Sequence, residues 1–324
     1  MAGAGAIDAD AAWGLKAGDA LGEDLRVLTF LAAGRKSEVY LAWDRKRRST
    51  VAAKLLRPGR PVGKLRKEAA LLERLAHPVL VRGFGATLEE PLPHLVLEHI
   101  EGPSVRGLIR RGAVAPDIVV EVALQVATAL HYLAMEGFVH LDVKPQNILL
   151  DTPAHRHTLE SGWRQRRTKR LKGSPPRARL IDAAAIQPVG SVVKALGAAV
   201  PELRLQGSRA SPPAGVWLLG ATMWRMLIGG AEVPEPACDS RGRSERWPAG
   251  FAALERGMLP SSVPEAMVDV VAACVSSEPS ERPSAGEVAD ALEPLLATAS
   301  APSPLIHSRP DGRLKRWLAS VGRA

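Results

Sequence analysis

A chain of 324 residues, 46% hydrophobic and 24% charged, carries enough apolar material for a sizeable core, which excludes a disordered or fibrous chain. Its net charge of +9 is local: nine Lys or Arg residues stand between His155 and Arg179 against the single acid Glu160, and the remainder is close to neutral. The two cysteines, Cys238 and Cys274, have neither CxxC spacing nor a nearby histidine cluster, which excludes a disulfide framework or zinc site and fits a reducing cytoplasm.

Asp8 and Asp10 interrupt the small-residue start, against a signal peptide, and residues 1–25 read as a leader. From Arg26 to Leu56 apolar and polar residues alternate with a break at Asp44 to Ser49, which predicts antiparallel strands. Leu65, Ala69, Leu72 and Leu75 then recur at helical spacing over Val62 to Leu75, and Pro78 ends the pattern. Val79 to Thr87 and His94 to Glu98 are two more strand candidates before the Gly102-Pro103 break. Beyond it the pattern turns helical, with Ile118, Val122, Val126, Leu130 and Leu133 on one face of Asp117 to Met135. Further helices are expected at Gly215 to Leu227, Pro264 to Val275 and Ala285 to Leu296. Ala214 to Ile228 is too short to cross a bilayer, which takes about 20 residues, and contains Arg225, so no transmembrane segment is expected. A strand-rich half followed by a helix-rich half predicts an α+β fold with a cleft between two lobes.

Four stretches carry chemistry. His140-Leu141-Asp142-Val143-Lys144-Pro145-Gln146-Asn147 is followed by the apolar Ile148-Leu149-Leu150. Val51-Ala52-Ala53-Lys54 puts a lysine on a half-buried strand, where alone it reads as a snorkelling side chain; Glu68, fourteen residues on, is a candidate partner, with Glu73 competing. Leu180-Ile181-Asp182-Ala183-Ala184 offers one carboxylate after a strand. Leu31 to Tyr40 is a turn-like run around Gly34.

Together these stretches resemble the protein kinase family, in its bacterial, Hanks-like serine/threonine form, over about Val27 to Leu296. The resemblance implies a two-lobed fold that binds ATP with Mg²⁺, or Mn²⁺, and transfers the γ-phosphate to protein Ser or Thr hydroxyls. It assigns Asp142 to orienting the hydroxyl, Lys144 to stabilising the moving charge, and Asn147 and Asp182 to the metal. Lys54 with Glu68 would hold the phosphates, Leu31, Gly34 and Val39 would cover them, and backbone near Glu98 and Ile100 would meet adenine in a slot lined by Ala52 and Leu149. Glu202 of Val200-Pro201-Glu202 and Arg282 of Glu281-Arg282-Pro283-Ser284 would form a structural pair. It implies lobes at 26–98 and 99–297 and a tail at 298–324.

Several positions depart from the family pattern. Ala32 and Ser37 replace two of three loop glycines, so an ordinary hairpin turn and a phosphate clamp weigh equally. Ala183 and Ala184 replace the Phe and Gly that follow the metal aspartate. Leu141 replaces the arginine that receives an activating phosphate, Gly215 an aspartate bracing the catalytic loop, and Ala195 a threonine touching the catalytic aspartate. A pseudokinase serving as a nucleotide-binding or scaffold module is therefore the alternative to an enzyme. The basic insertion at about 151–178 reads first as a solvated loop and second as a dock for an acidic partner, with nucleic acid disfavoured. Asp311 to Arg323 has apolar residues at helical spacing opposite basic ones, for packing on the core or for a partner or membrane.

Overall fold

The computed structural model describes residues 12–34, 36–89, 91–151, 177–193, 200–204, 207–229, 259, 261 and 263–298. Most of the basic insertion, Ala195, Cys238 and the segment Asp311 to Arg323 lie outside the described residues. The chain divides into two compact units, one of residues 1–100 with Asp182–Ala184, the other of Glu101–Ile181 with residues 185–324.

The first unit is a six-stranded sheet in the order β1-β2-β3-β4-β6-β5, formed by β1 (Ala20–Leu21), β2 (Leu25–Ala33), β3 (Ser37–Asp44), β4 (Ser49–Leu56), β5 (Gly83–Thr87) and β6 (His94–Glu98). All its pairings are antiparallel. The turn joining β3 to β4 is set by Asp44, whose carboxylate accepts the Arg47 N–H at 2.8 Å and pairs with the Arg47 guanidinium at 2.8 Å. Alternation along β3 and β4 sends Tyr40, Ala42, Val51, Ala53 and Leu55 to one face, where they form a core with Val96 and Val27. Val39, Leu41, Ala52 and Lys54 point to the other. The strand expected from Val79 begins only at Gly83, because Pro78 and Val79 form a turn closed by the Leu80 N–H on the His77 carbonyl, even though Val79, Leu80 and Val81 are buried.

Helix α1 (Gly63–Arg74) belongs to this unit. It has no side-chain cap and no acid in its first turn. Missing a cap costs about 1 kcal/mol, whereas burying Leu65 contributes about 1.5–3 kcal/mol. Tertiary packing therefore outweighs local propensity in holding α1. Residues 12–25, expected as part of a leader, already take part in this unit: β1 pairs with β2, and Trp13 and Leu15 pack against the core face of the sheet.

The second unit is mainly helical, with α2 (Val105–Ile109), α3 (Pro116–Met135), α4 (Pro212–Ile228), α5 (Glu265–Cys274) and α6 (Ala285–Thr298). Two short ladders complete it, β7 (Phe138–His140) with β10 (Ile186–Pro188) and β8 (Ile148–Asp151) with β9 (Arg177–Leu180). Helix α4 starts three residues earlier than the sequence suggests. Pro212 and Pro213 occupy its first turn, where a missing N–H costs nothing. From Ala214 onward α4 is buried on every side, as a core helix must be when its residues are apolar all round. Helix α6 opens on a reciprocal box: Ser284 N–H donates to Glu287 Oε2 at 2.7 Å and Glu287 N–H donates to Ser284 Oγ at 3.2 Å.

Among the described residues α3 is the one helix long and apolar enough to cross a membrane, with mean hydropathy 1.6, a property the sequence reading passed over. Half of that window is buried within the unit, and Val119, Val122, Val126 and Leu133 account for its apolarity as core.

Candidate active site

In the sheet unit, Lys54 reaches from β4 to α1. Its Nζ lies 2.8 Å from Oε1 and 3.0 Å from Oε2 of Glu68, and 3.1 Å from Oδ1 of Asp182. Glu68 is therefore the partner, and Glu73 is not. The pairing follows from local rules: strand alternation takes Lys54 off the core face, and helical spacing puts Glu68 on the same side of α1 as the buried Leu65. Asp182 also accepts the Ala184 N–H at 3.3 Å, a local turn that fixes its carboxylate.

The electrostatics of this trio are those of one ammonium shared by two carboxylates. Burial pushes Lys54 toward neutrality, but the adjacent Asp182 and Glu68 outweigh it and hold its pKa above the ordinary lysine value. Burial raises Glu68 above the usual carboxylate range; Lys54 opposes the shift and Asp182 adds to it. Lys54 stays charged, and Glu68 takes up a proton more readily than an ordinary glutamate.

In the helical unit, residues 141–147 form a loop between β7 and β8. Asn147 Nδ2 donates to both the main-chain carbonyl and Oδ2 of Asp142, each at 2.9 Å. Lys144 Nζ lies 2.7 Å from the same Oδ2. The loop backbone is tied down twice more: Leu141 N–H donates to the Ala185 carbonyl at 3.2 Å, and Asp142 N–H donates to His140 Nδ1 at 3.1 Å. Sequence reasoning missed these two braces, since a backbone carbonyl and a ring nitrogen leave no pattern that a motif shows. Gly215, where a bracing aspartate was expected, sits against β7, which leads into this loop. A Cβ added there would lie 3.5 Å from the His140 carbonyl oxygen, so glycine is not sterically required.

The remaining expected residues fall as follows. Gly34 closes a turn by donating its N–H to the Ser37 carbonyl at 2.8 Å. Leu31 occupies an irregularity of the β2 ladder between Phe30 and Ala32 and is 43% exposed. Val39 pairs with Lys54, and Ala52 with Leu97. Glu98 ends β6 with its N–H donated to the Arg82 carbonyl at 2.9 Å, and Ile100 is buried. In the second unit Leu149 is half-buried in β8 and bridges to Ser104. Glu202 and Arg282 form a bidentate pair, 2.7 and 2.9 Å, with Arg282 fully enclosed.

Could these residues hold a metal nucleotide? In the sheet unit Asp182 offers a carboxylate, and in the helical unit Asn147 offers an amide oxygen; each is a hard donor of the kind Mg²⁺ prefers. Among the described residues no three His, Cys, Asp or Glu side chains cluster to bind a metal unaided.

An antiparallel sheet with one helix, joined to a helical unit carrying an Asp/Lys/Asn loop, is the two-lobed α+β architecture of protein kinases. Residues 25–292 match the protein kinase domain family, and the chain belongs to it as a divergent member of the Hanks-like kind. The chain is similar to mitogen-activated protein kinase kinase kinase 11 of Homo sapiens, 28% identical over 253 residues, covering 76% of this chain and 28% of that protein. It also resembles the serine/threonine-protein kinase PknB of Mycolicibacterium smegmatis, 33% identical over 130 residues, 37% of this chain and 21% of that one. A third relative is the tyrosine-protein kinase transforming protein Abl of Abelson murine leukemia virus, 26% identical over 281 residues, 86% of this chain and 35% of its own length. The matched region spans about a third or less of these relatives.

Proposed function

We propose that the chain is an ATP- and Mg²⁺-dependent protein kinase that phosphorylates Ser or Thr hydroxyls of protein substrates. The observation that carries this reading is the trio of Lys54, Glu68 and Asp182: a buried lysine kept charged by two carboxylates is poised to meet phosphate oxygens. When bound, MgATP supplies the transferable phosphoryl group and the charge of its metal. Asp142 then accepts a hydrogen bond from the substrate hydroxyl and takes its proton. Lys144 places positive charge where the phosphoryl group moves, and Asn147 with Asp182 provides metal oxygens. Leu31, Gly34 and Val39 cover the phosphates, Ala52 and Leu149 contact the base, and the main chain at Glu98 and Ile100 hydrogen-bonds it. With the Glu98 N–H already donated to Arg82, an adenine contact at that residue falls to its carbonyl.

Lys144 followed by Pro145 favours Ser/Thr over Tyr, by resemblance to the former class. We place the kinase lobes at 26–98 and 99–297 and the protein in the cytoplasm, and read the basic insertion first as a solvated loop and second as a dock for an acidic partner. A second reading, a nucleotide-binding pseudokinase, is favoured by the turn at Gly34, where Ala32 keeps strand pairing with Val39 instead of forming a glycine-rich phosphate nest.

Transfer of labelled γ-phosphate by the purified wild type, beside Lys54→Met and Asp142→Asn, with Mg²⁺ and with Mn²⁺, tests the choice. Incorporation by the wild type alone supports the enzyme. Equal signal in all three removes it, and nucleotide binding without any transfer leaves the pseudokinase.

A further inference from the structure

The core face of the sheet hides a second cluster, on the opposite side from Lys54. Glu38, the residue after the turn that Gly34 opens, is only 1% exposed. Its Oε2 accepts the Tyr40 hydroxyl at 2.6 Å and the main-chain N–H of Trp13 at 3.3 Å, and its Oε1 lies 3.9 Å from the Arg57 guanidinium. Trp13 also donates its indole N–H to the Leu56 carbonyl at 2.8 Å. Ser37 and Leu56 are the end pair of the β3–β4 ladder, where β3 leaves the Gly34 turn and β4 leaves the sheet. Trp13 therefore grips β3 one residue past the turn and β4 at its last residue, beside that turn. Arg57 extends the grip by donating its N–H to the Lys36 carbonyl at 3.0 Å. Behind Trp13 the chain is itself fastened. Lys16 N–H donates to Asp19 Oδ2 at 2.8 Å, and Gly18 and Asp19 exchange backbone bonds with Val27, each 2.9 Å.

A phosphate turn with alanine and serine in place of two glycines is not shaped by its own composition, so its geometry must come from its flanks. We propose that Trp13 is a positioning residue for nucleotide binding: clipped to Glu38 and Leu56, it orders the turn at Gly34 to Ser37 and thereby sets the affinity for ATP. The inference rests on the kinase reading above. It gives residues 12–19 a role in the reaction, and it makes release of this strap a way to weaken the site without touching a group that meets substrate.

The test uses the full chain and two variants: Trp13→Phe, which keeps a smaller aromatic ring and loses the indole N–H, and Glu38→Gln, which keeps the shape and an acceptor but loses the charge. Without nucleotide, hydrogen exchange in the peptide covering residues 31–39 and at the Arg57 amide should quicken in Trp13→Phe. Unchanged exchange overturns the proposal. Titration with a fluorescent ATP analogue and Mg²⁺ should then show Kd, and KM for ATP, raised about ten-fold in Trp13→Phe, the loss of roughly one hydrogen bond of ordering, with kcat within about two-fold of wild type. Glu38→Gln should shift Kd in the same direction by less. A purely structural role would lower the melting temperature and leave Kd and the KM-to-kcat split unmoved, and that result also overturns the proposal. Failure of the wild type to bind the analogue at all would sink the kinase reading, and this inference with it; wild-type binding with unaffected variants sinks this inference alone.

Discussion

Asn147 donates one amide nitrogen to two oxygens of Asp142, its carbonyl and its carboxylate, at 2.9 Å each. With Lys144 at 2.7 Å on the same carboxylate oxygen, Asp142 Oδ2 is held from two directions, and rotation of its χ angles is opposed by both.

Removing the carboxylate and removing its holder should therefore read differently. Asp142→Asn is expected to lower kcat by about 10²–10⁴-fold, the usual worth of a positioned general base. On the proposed kinase reading, in which Asn147 also holds the metal, Asn147→Ala should lower kcat while raising the Mg²⁺ concentration needed for half-maximal rate. Steady-state rates over a Mg²⁺ titration separate the two; the same metal dependence in both variants would contradict the dual role of Asn147.

The trio around Lys54 predicts a pH dependence whose sign is fixed. Glu68 has its folded pKa above the ordinary value of 4.5, burial being the main cause. The folded state then binds its proton at higher pH than the unfolded state does. Its contribution to stability grows as pH falls through the window between the folded pKa and 4.5. Nucleotide affinity should move oppositely, because a neutral Glu68 no longer restrains Lys54. Melting and nucleotide titrations of wild type and Glu68→Gln across this window check both signs. For Lys54, raised above 10.5, the stabilisation is present below 10.5 and is lost as pH rises through the folded pKa.

The strand lysine and the helix glutamate sit in periodic elements whose phase is fixed by buried neighbours, while their pairing and the catalytic loop were legible only through resemblance to the kinase motifs. Val51, Ala53 and Leu55 force Lys54 to the other face, and Leu65 orients Glu68. The loop braces were not legible. Leu141 loses the arginine that would mark a phosphate-regulated loop, yet its backbone N–H still finds Ala185, and a backbone bond depends on strand pairing between β7 and β10, not on residue type. Trp13 was invisible for another reason. It precedes any periodic run, and its worth lies in one residue meeting two distant strands.

Glu202 and Arg282 should not be equivalent to mutate, although they form one pair. The Arg282 side chain is fully enclosed, while that of Glu202 is 22% exposed. Glu202→Ala strands a buried guanidinium and is expected to cost about 3–5 kcal/mol in denaturant unfolding. Arg282 keeps bonds to the Ser276 and Pro213 carbonyls, which places the loss toward the lower end. Arg282→Met leaves a carboxylate that water can reach and should cost less. The double variant Glu202→Leu with Arg282→Met should recover part of the loss, and a cost equal to the sum of the singles would show that the pair is not coupled.

Helices α4 and α5 meet at Gly220 and Cys274 with no room between them. A Cβ on Gly220 would lie 2.5 Å from the Cys274 Cβ and 2.9 Å from Val275 Cγ1, so Gly220→Ala must push the helices apart, at about 1–3 kcal/mol. Cys274 is wholly buried and its thiol is pushed up to about 12, so almost no thiolate exists at neutral pH and native alkylation must wait for opening of this contact. Gly220→Ala should therefore speed labelling of Cys274 by iodoacetamide, resolved by peptide mapping from Cys238, in proportion to its loss of unfolding free energy. Faster labelling with unaltered stability would mean that α5 opens locally, without the rest of its unit.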